Sequence, residues 1–399
     1  AYCTVTPPPL VQSADLTYEG SFKLPTLTSG NGGFSYGGTA LAYNPANDSL
    51  YVVGHTYDQE TAEVRIPAMG ATATLLQPLT DSLANRLNSI GSGTVRIGGN
   101  LVYRNRLYVT GFVYYDAANS QTLSHFSRPL TLSGGTVTGP VRAGSMGAGF
   151  YSGYMGLIPA EWQARLGGPA LTGNCCLSII SRTSYGPAVF AFDPENLGAA
   201  QPLVYYPSSN QTLGAYGASG VHPVFNGTTR ITGVVFPQDT STVLFFGSTG
   251  VGSYCYGGAE CNDPSGNSQG EHAYPYRGYV WAYNANDLAA VKSGTKQPWS
   301  VTPYATWELP QLGNTSGDFG LGGAAYDPAT GRIFLSKKFG DGDRPVIHVY
   351  KINNSTTQAP PPPPPPPPPS PTPPPLPPTL PPPPTPTPTS TPTPPPPPP

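Results

Sequence analysis

The sequence predicts an all-β fold: a β-propeller with about five to seven blades of antiparallel meanders, followed by an extended polyproline II tail. Three observations carry this prediction: strand–turn–strand segments that recur along the chain, a near absence of helical periodicity, and a run of prolines at the C-terminus. Repeats of about 40–50 residues with several strands each are typical of propeller blades. A β-sandwich is the alternative, but the recurring Asn-Pro and Asp-Pro hairpins argue against it.

The C-terminal segment differs in composition from everything before it. More than half of the 53 prolines lie between Pro360 and Pro399, and the remaining positions there are Ser, Thr or Leu. Consecutive prolines favour polyproline II, which has no internal hydrogen bonds and buries no core. We therefore expect a propeller domain over residues 1–355 with long loop insertions, and a Pro/Thr/Ser-rich tail over residues 356–399.

Two distant segments have the pattern of a β-hairpin. TALAYNPANDSLYVV (39–53) aligns without a gap with GGAAYDPATGRIFLS (322–336). In each segment an apolar strand ends in an aromatic residue, and an Asn or Asp before proline starts a polar turn. A second β-rich run follows the turn and suits a buried strand.

A second repeat type extends the pattern. VFAFDPENLGAA (189–200) aligns with VWAYNANDLAAV (280–291), and VIHVYKIN (346–353) repeats the strand part. Helical patterns are limited to short pieces at residues 159–166 and 285–292. The Gly/Ser/Tyr-rich stretches 142–185 and 250–278 predict large loop insertions between strands.

These hairpins resemble β-propellers of the YVTN and NHL type, in which a strand ending in Tyr-Asp-Pro, a Gly-bearing turn and an aromatic strand recur. AAYDPATGRIFLS (324–336) carries the resemblance most clearly. The resemblance implies a propeller fold and no particular activity. The Ser-Pro and Thr-Pro punctuation of the tail resembles hydroxyproline-rich, extensin-like cell-wall glycoproteins, which implies O-glycans. Those sites would be Ser370, Thr372, Thr385, Thr387, Thr389 and Thr391.

Charge and hydropathy exclude several classes of partner. Charged residues make up 10% of the chain and the net charge is −2, whereas soluble domains have about 25% charged residues. There is no basic stripe for nucleic acid and no apolar run long enough to span a membrane. N-glycans would solubilise such a weakly charged surface, and six sequons are available. Their acceptors are Asn47, Asn210, Asn226, Asn314, Asn353 and Asn354.

The N-terminus and the cysteines indicate secretion to the extracellular space, cell surface or cell wall. A chain that begins with Ala1 fits the product of signal-peptide cleavage. Cys255 and Cys261 bracket a short Gly-bearing loop that a disulfide would close. Cys3 would pair with Cys175 or Cys176, or these two adjacent cysteines would bond to each other. No Cys/His spacing suits zinc.

Candidate chemistry is sparse. Glu271 and His272 lie beside two tyrosines in a long loop and form a possible polar site. Asp341-Gly342-Asp343 resembles a short oxygen-ligand loop for calcium, but no complete calcium-binding pattern accompanies it. We expect no cofactor, no metal and no enzymatic activity.

The tail decides the functional hypothesis. A rod from Pro360 to Pro399 lying against the next copy would make a heterologous contact, and such contacts build filaments. The sequence therefore favours a secreted structural glycoprotein that assembles head to tail with copies of itself into an extracellular fibre or surface layer. One alternative is a carbohydrate-binding propeller on a Pro-rich stalk, which would bind sugar through exposed tyrosines near residues 250–280. The other is a secreted propeller hydrolase or lyase that uses the Glu271/His272 loop.

Overall fold

The computed structural model describes residues 9–27, 32–214, 224–315, 317 and 320–352. Over these residues the chain forms five four-stranded antiparallel sheets, each of which is one blade of a propeller. The predicted all-β propeller is confirmed, with five blades. The predicted tail and the domain boundary near residue 355 lie outside the described residues, so both remain predictions.

The strands follow one another from the centre of each blade to its edge. The first described strand, β1 (Leu16–Lys23), belongs to the last blade, blade 5. Blade 1 contains β2 (Leu41–Asn44), β3 (Ser49–Val53), β4 (Thr61–Arg65) and β5 (Thr74–Thr80). Blade 2 contains β6 (Val95–Tyr103), β7 (Arg106–Val113), β8 (His125–Pro129) and β9 (Thr138–Val141). Blade 3 contains β10 (Met155–Leu157), β11 (Ala170–Gly173), β12 (Val189–Phe192) and β13 (Gln201–Val204).

Blade 4 carries an insertion and blade 5 closes the ring. Blade 4 contains β14 (Arg230–Val235), β15 (Thr242–Gly250), β18 (Tyr276–Asn284) and β19 (Ala305–Glu308), and a small hairpin of β16 (Cys255–Gly257) and β17 (Gly270–His272) lies between β15 and β18. Blade 5 contains β20 (Leu321–Asp327), β21 (Arg332–Asp341) and β22 (Arg344–Ile352). Its fourth strand is β1, which pairs antiparallel with β22 from Leu16↔Ile352 to Lys23↔Val346. Strands from both ends of the described chain therefore complete one sheet.

The predicted hairpins are the inner strand pairs of blades 1 and 5. Asn44 Oδ1 accepts a hydrogen bond from the Ala46 amide (3.1 Å), and Asp327 Oδ1 accepts one from the Ala329 amide (3.0 Å). These contacts are Asx turns, in which the side chain caps its own reversal. Gly331 has a positive φ of 76°, a conformation that favours glycine.

Helices are few, as the sequence predicts. Helix α1 (Ala160–Leu166) follows β10, and helix α2 (Ala285–Lys292) follows β18. Asn284 caps α2 by accepting a hydrogen bond from the Asn286 amide. Short 3₁₀ turns occur at Ser13–Asp15, Leu87–Ile90, Ala148–Phe150, Ile179–Ser181, Ala259–Cys261, Pro298–Ser300 and Pro310–Leu312. Within the part of the chain that the structure describes, no helix is long and apolar enough to cross a membrane.

The core lies between neighbouring blades. Strand β15 is buried along its whole length, and aromatic side chains such as Phe245 and Trp281 fill the space between blades 3 and 4. The inner strands approach closely at the centre. A Cβ atom at Gly98 would overlap the carbonyl oxygen of Ser152, in the connection that leads into blade 3, so only glycine fits there.

The two faces of the ring differ in their connections. We call the upper face the side on which the second strand of a blade connects to the third and one blade connects to the next. The lower face carries the connections from first to second strand and from third to fourth. Upper-face connections include the long segments 114–124, 174–188 and 251–275, whereas the inner hairpins of blades 1, 2 and 5 turn on the lower face within a few residues.

Candidate binding face

Exposed tyrosines collect on the upper face. Five tyrosines on its loops are between 40% and 78% exposed, and we call them the tyrosine rim: Tyr36, Tyr57, Tyr115, Tyr256 and Tyr274. They come from the connection between blades 5 and 1 and from the upper loops of blades 1, 2 and 4. Single exposed apolar side chains are normal on a protein surface, whereas several that collect on one face mark an interaction surface.

Part of the rim forms a continuous aromatic strip. The ring of Tyr36 lies 5.7 Å from that of Phe339 on blade 5 and 5.6 Å from that of His55 on blade 1. The His55 ring lies 5.5 Å from that of Tyr57, and the Arg96 guanidinium of blade 2 lies 5.5 Å from the centre of the Tyr57 ring. This strip spans three blades. Edge-to-face rings at these distances support one another's orientation.

A charged group occurs inside the strip. Asp58 Oδ2 lies 3.9 Å from Nδ1 of His55, and the two side chains are 28% and 17% exposed. His55 Nδ1 also accepts a hydrogen bond from the Tyr57 backbone amide, at 3.2 Å. The strip therefore places a carboxylate and an imidazole beside stacking surfaces.

Glu271 belongs to a buried ion cluster between blades 3 and 4. Its Oε2 atom lies 3.7 Å from a guanidinium nitrogen of Arg182 and 3.7 Å from one of Arg230, and its side chain is fully buried. Both arginines also donate to the Gly227 carbonyl oxygen, at 2.9 and 2.8 Å. A side chain at Gly227 would overlap the Glu271 carboxylate. Burial, and then the Glu271 charge, raises the pKa of Tyr254 to about 12.

His272, the neighbour of Glu271, enters a different network. Its Nδ1 lies 2.8 Å from Asp263 Oδ2 and its Nε2 lies 2.7 Å from the Ser268 carbonyl oxygen, while the Tyr276 hydroxyl donates to Asp263 (2.6 Å). Burial lowers the pKa of His272, but the hydrogen bonds to Asp263 and Ser268 outweigh it and raise the pKa overall. Because successive side chains of β17 point to opposite sides, the two adjacent residues do not form one site.

Disulfides stabilise two upper loops. Cys255 is bonded to Cys261 across the inserted hairpin, with their Cα atoms 5.6 Å apart. Cys175 is bonded to Cys176, the vicinal alternative, and therefore not to Cys3, which lies outside the described residues. The vicinal disulfide lines a small cleft of about 40 Å³ together with Arg182 and Arg230.

The predicted glycosylation sites fall into three groups. Asn210 and Asn314 are exposed, and Asn47 is exposed but donates its amide to Glu63 Oε1 (2.9 Å). Asn226 is withdrawn as an acceptor in the folded protein, because it is 1% exposed and its amide donates to the Gly250 carbonyl (2.9 Å). The other predicted modification and assembly positions lie outside the described residues: Asn353, Asn354, Pro360, Ser370, Thr372, Thr385, Thr387, Thr389, Thr391 and Pro399.

The oxygen-rich loop of blade 5 faces cations of the protein itself. Asp341 lies 2.9 Å from the Lys23 ammonium and 2.9 Å from the Arg344 guanidinium. Hydrogen bonds from these two side chains lower the pKa of Asp341. Among the residues that the structure describes, no group of three His, Cys, Asp or Glu side chains is arranged to hold a metal ion.

Comparison with known proteins gives structural similarity only. No protein-family model matches the chain, and no curated protein sequence matches it either. The α-L-arabinanase of Cellvibrio cellulosa, solved with arabinohexaose, matches with a TM-score of 0.42 at 9% identity over 79% of this chain and 91% of its own. An exo-1,5-α-L-arabinanase from a bovine ruminal metagenomic library matches with a TM-score of 0.41 at 11% identity, over 82% and 94%.

A third similar structure belongs to the GH130 family, described as mannoside phosphorylases and glycoside hydrolases that target β-1,2-mannosidic linkages. It matches with a TM-score of 0.40 at 11% identity, over 82% of this chain and 87% of its own. Similarity at this level concerns the fold alone. These findings nevertheless contradict two predictions. The hypothesis of a self-assembling structural fibre is wrong, and so is the prediction of no enzymatic activity, because the similar propellers are glycoside hydrolases.

The sequence predicts exposed tyrosines only near residues 250–280, where Tyr256 and Tyr274 lie, and no local signal predicts the rest of the tyrosine rim or the ion cluster. The rim residues lie on loops separated by tens of residues, and Arg182, Arg230 and Glu271 come from three upper-face segments. The available signal is the high tyrosine content, 25 residues, in a chain with few charges. Only the blade order shows which of these tyrosines share a face.

Proposed function

We propose that the protein is a secreted, carbohydrate-active propeller that binds a glycan across its upper face and hydrolyses it there. The observation that carries this proposal is the tyrosine rim, in which five exposed rings on loops of one face are available for contact. The structural comparisons supply candidate substrates for the test and no argument beyond the fold.

Tyrosine suits glycan binding for physical reasons. A sugar ring presents a flat patch of C–H groups, which packs on an aromatic face, while the tyrosine hydroxyl hydrogen-bonds the sugar hydroxyls at the edge. Only two side-chain torsions are fixed on binding, so the entropic cost is small. In the strip, Arg96 and Phe339 restrain the rings of Tyr57 and Tyr36 before a ligand arrives, and this reduces the cost further.

Glycoside hydrolysis adds water across the glycosidic bond: one carboxyl group attacks the sugar or deprotonates the attacking water, and a second carboxyl group protonates the departing oxygen. Asp58 is the carboxyl group that we assign to this role, because it is partly exposed and lies next to His55 and Tyr57 in the strip. His55 lies next to this carboxyl group, with Nδ1 3.9 Å from Asp58 Oδ2, and makes the surroundings of Asp58 polar. Glu271 is unsuited to contact a substrate because its side chain is fully buried behind two arginines.

The remaining parts of the proposal concern location and the tail. Two disulfides, together with exposed sequons at Asn210 and Asn314, support an extracellular glycoprotein. The YVTN/NHL-like resemblance of the blade repeat and the extensin-like resemblance of residues 356–399 stay proposals, and so does the domain boundary between residues 355 and 356. Under this proposal the Pro-rich tail is an O-glycosylated spacer.

The experiment measures binding and turnover separately on the full chain. Arabino-oligosaccharides and β-1,2-linked manno-oligosaccharides are titrated by calorimetry, and release of reducing ends is followed in parallel. Tyr57→Ala should weaken binding about tenfold, which is about 1.4 kcal/mol. Met69→Ala is the matched control, because Met69 is an exposed apolar residue on a lower-face loop.

Asp58→Asn should abolish release of reducing ends and leave binding within about twofold, because the amide keeps the size of the side chain and donates no acidic proton. Failure of the wild type to bind any glycan would overturn the proposal. Binding without turnover would retain the glycan-binding face and refute the hydrolase.

A further inference from the structure

A second cavity lies on the axis of the propeller, on the side opposite the tyrosine rim. Its volume is about 140 Å³. It is enclosed by the C-terminal halves of the inner strands of all five blades, which run toward the lower face. One wall residue from each blade is Ala42, Val102, Met155, Val235 and Ala324. Cavities of about 150 Å³ in proteins accommodate a benzene molecule.

Asn100 is the polar side chain that distinguishes this cavity. It lies on the inner strand β6, lines the cavity and is 2% exposed. Neither its Oδ1 nor its Nδ2 atom has a hydrogen-bond partner among the described residues. Buried side-chain amides are nearly always hydrogen-bonded, because an unsatisfied one is costly. A donor and an acceptor are thus available to a molecule in the cavity.

The rest of the lining sets the character of that molecule. The described lining residues include no Asp, Glu, Lys, Arg or His, and most are aliphatic or aromatic. The Tyr326 hydroxyl accepts a hydrogen bond from the Gln238 backbone amide (2.9 Å) and is uncharged. A charged ligand would lose its hydration without compensation in such a lining. The lining therefore selects a neutral molecule.

We propose that this axial pocket binds a neutral, mainly apolar molecule of about the size of benzene that carries one hydroxyl or carboxamide group. That group hydrogen-bonds the side-chain amide of Asn100, and the apolar part packs on the aliphatic ends of the inner strands. The pocket is distinct from the upper face and does not depend on the glycan proposal.

Phenol and benzamide are the probes, and benzene is the apolar comparison. Binding to the full chain is measured by ligand-observed NMR and by the rise in melting temperature. Wild-type protein should bind phenol at least tenfold more tightly than benzene. In Asn100→Leu the ratio of phenol affinity to benzene affinity should fall at least tenfold, while benzene still binds. Leucine has a similar volume to asparagine and no hydrogen-bonding group.

Thr232→Val is the matched control. Thr232 is also on an inner strand and buried, and its hydroxyl likewise has no hydrogen-bond partner among the described residues, but it does not line the cavity. This substitution should leave phenol binding within twofold. Ala160→Trp is a second test, because Ala160 is an exposed residue at the mouth of the cavity and a tryptophan there should block every probe.

Equal phenol binding by wild type and Asn100→Leu would overturn the proposal. So would absence of phenol binding by the wild type, or a phenol complex in which the probe lies on the upper face. Circular dichroism of each variant establishes that the sheets are intact before binding is compared.

Discussion

Replacing Glu271 with glutamine should strongly destabilise the propeller. The substitution removes one negative charge that lies 3.7 Å from two guanidinium groups, and the three side chains are no more than 8% exposed. Removing one partner of a buried ion pair costs about 3–5 kcal/mol, because the remaining charge loses water and partner together. Glutamine keeps the volume of the side chain, so loss of packing adds little.

The assay is urea unfolding of the full chain, with the free energy extrapolated to water. Glu308→Gln is the control: Glu308 Oε1 lies 3.1 Å from Arg277 Nε in the same blade, but the two side chains are 39% and 27% exposed. Such solvent-screened pairs contribute about 0–1 kcal/mol. If Glu271→Gln lowered the free energy of unfolding no more than Glu308→Gln did, the claim that burial gives the ion cluster its large contribution to stability would be refuted.

Three further perturbations follow from the same contacts. Because the pKa of His272 is raised, its contribution to stability should be full below about pH 6.5 and decline as the pH rises through the raised value; urea unfolding at several pH values checks this, and Asp263→Asn should flatten the decline. Replacing Cys255 and Cys261 with serine should lower the free energy of unfolding by about 2 kcal/mol, because the loop between them is no longer closed in the unfolded chain; urea unfolding measures this as well. Gly98→Ala should lower the melting temperature by several degrees, because the added methyl group overlaps the backbone of Ser152 in the connection that leads into blade 3.

Local turn chemistry could be predicted from the sequence, and contacts between distant loops could not. Asn44 and Asp327 each cap a turn within two residues, so the hairpins that they start are visible in short segments. The blade count depends instead on strands such as β10, which has three residues and little pattern of its own. Glu271 and His272 show the limit most clearly, since their adjacency in sequence predicts one polar site and strand alternation sends them to two networks.

For a related physical reason the tyrosine rim was predicted only in part: the exposed tyrosines expected near residues 250–280 include Tyr256 and Tyr274 but not the three rim tyrosines of the other blades. An exposed tyrosine and a core tyrosine look alike in sequence, and the core here is also rich in them, as the hydrogen-bonded pair Tyr206 and Tyr283 shows (2.7 Å). Burial is decided by the position of each loop relative to its neighbouring blades. No sequence pattern indicates the role of Asn100 either, because its buried amide without a described partner is evident only when the five inner strands are seen together.

The loops of the upper face can vary their side chains more freely than the strands that form the axial cavity, and this difference is consistent with two separate sites. Loops of the upper face are long and are bounded by rigid strands, so they can present side chains such as Tyr57 and Tyr115 to a large ligand without disturbing the blades. The lower axial cavity is built from the strands themselves, which are fixed by their sheets and by close glycine contacts at the centre. A site made of strand ends holds its shape and selects by size, whereas a face made of loops selects by the side chains that it presents. The large polymeric ligand is therefore assigned to the upper face and the small neutral one to the axial cavity.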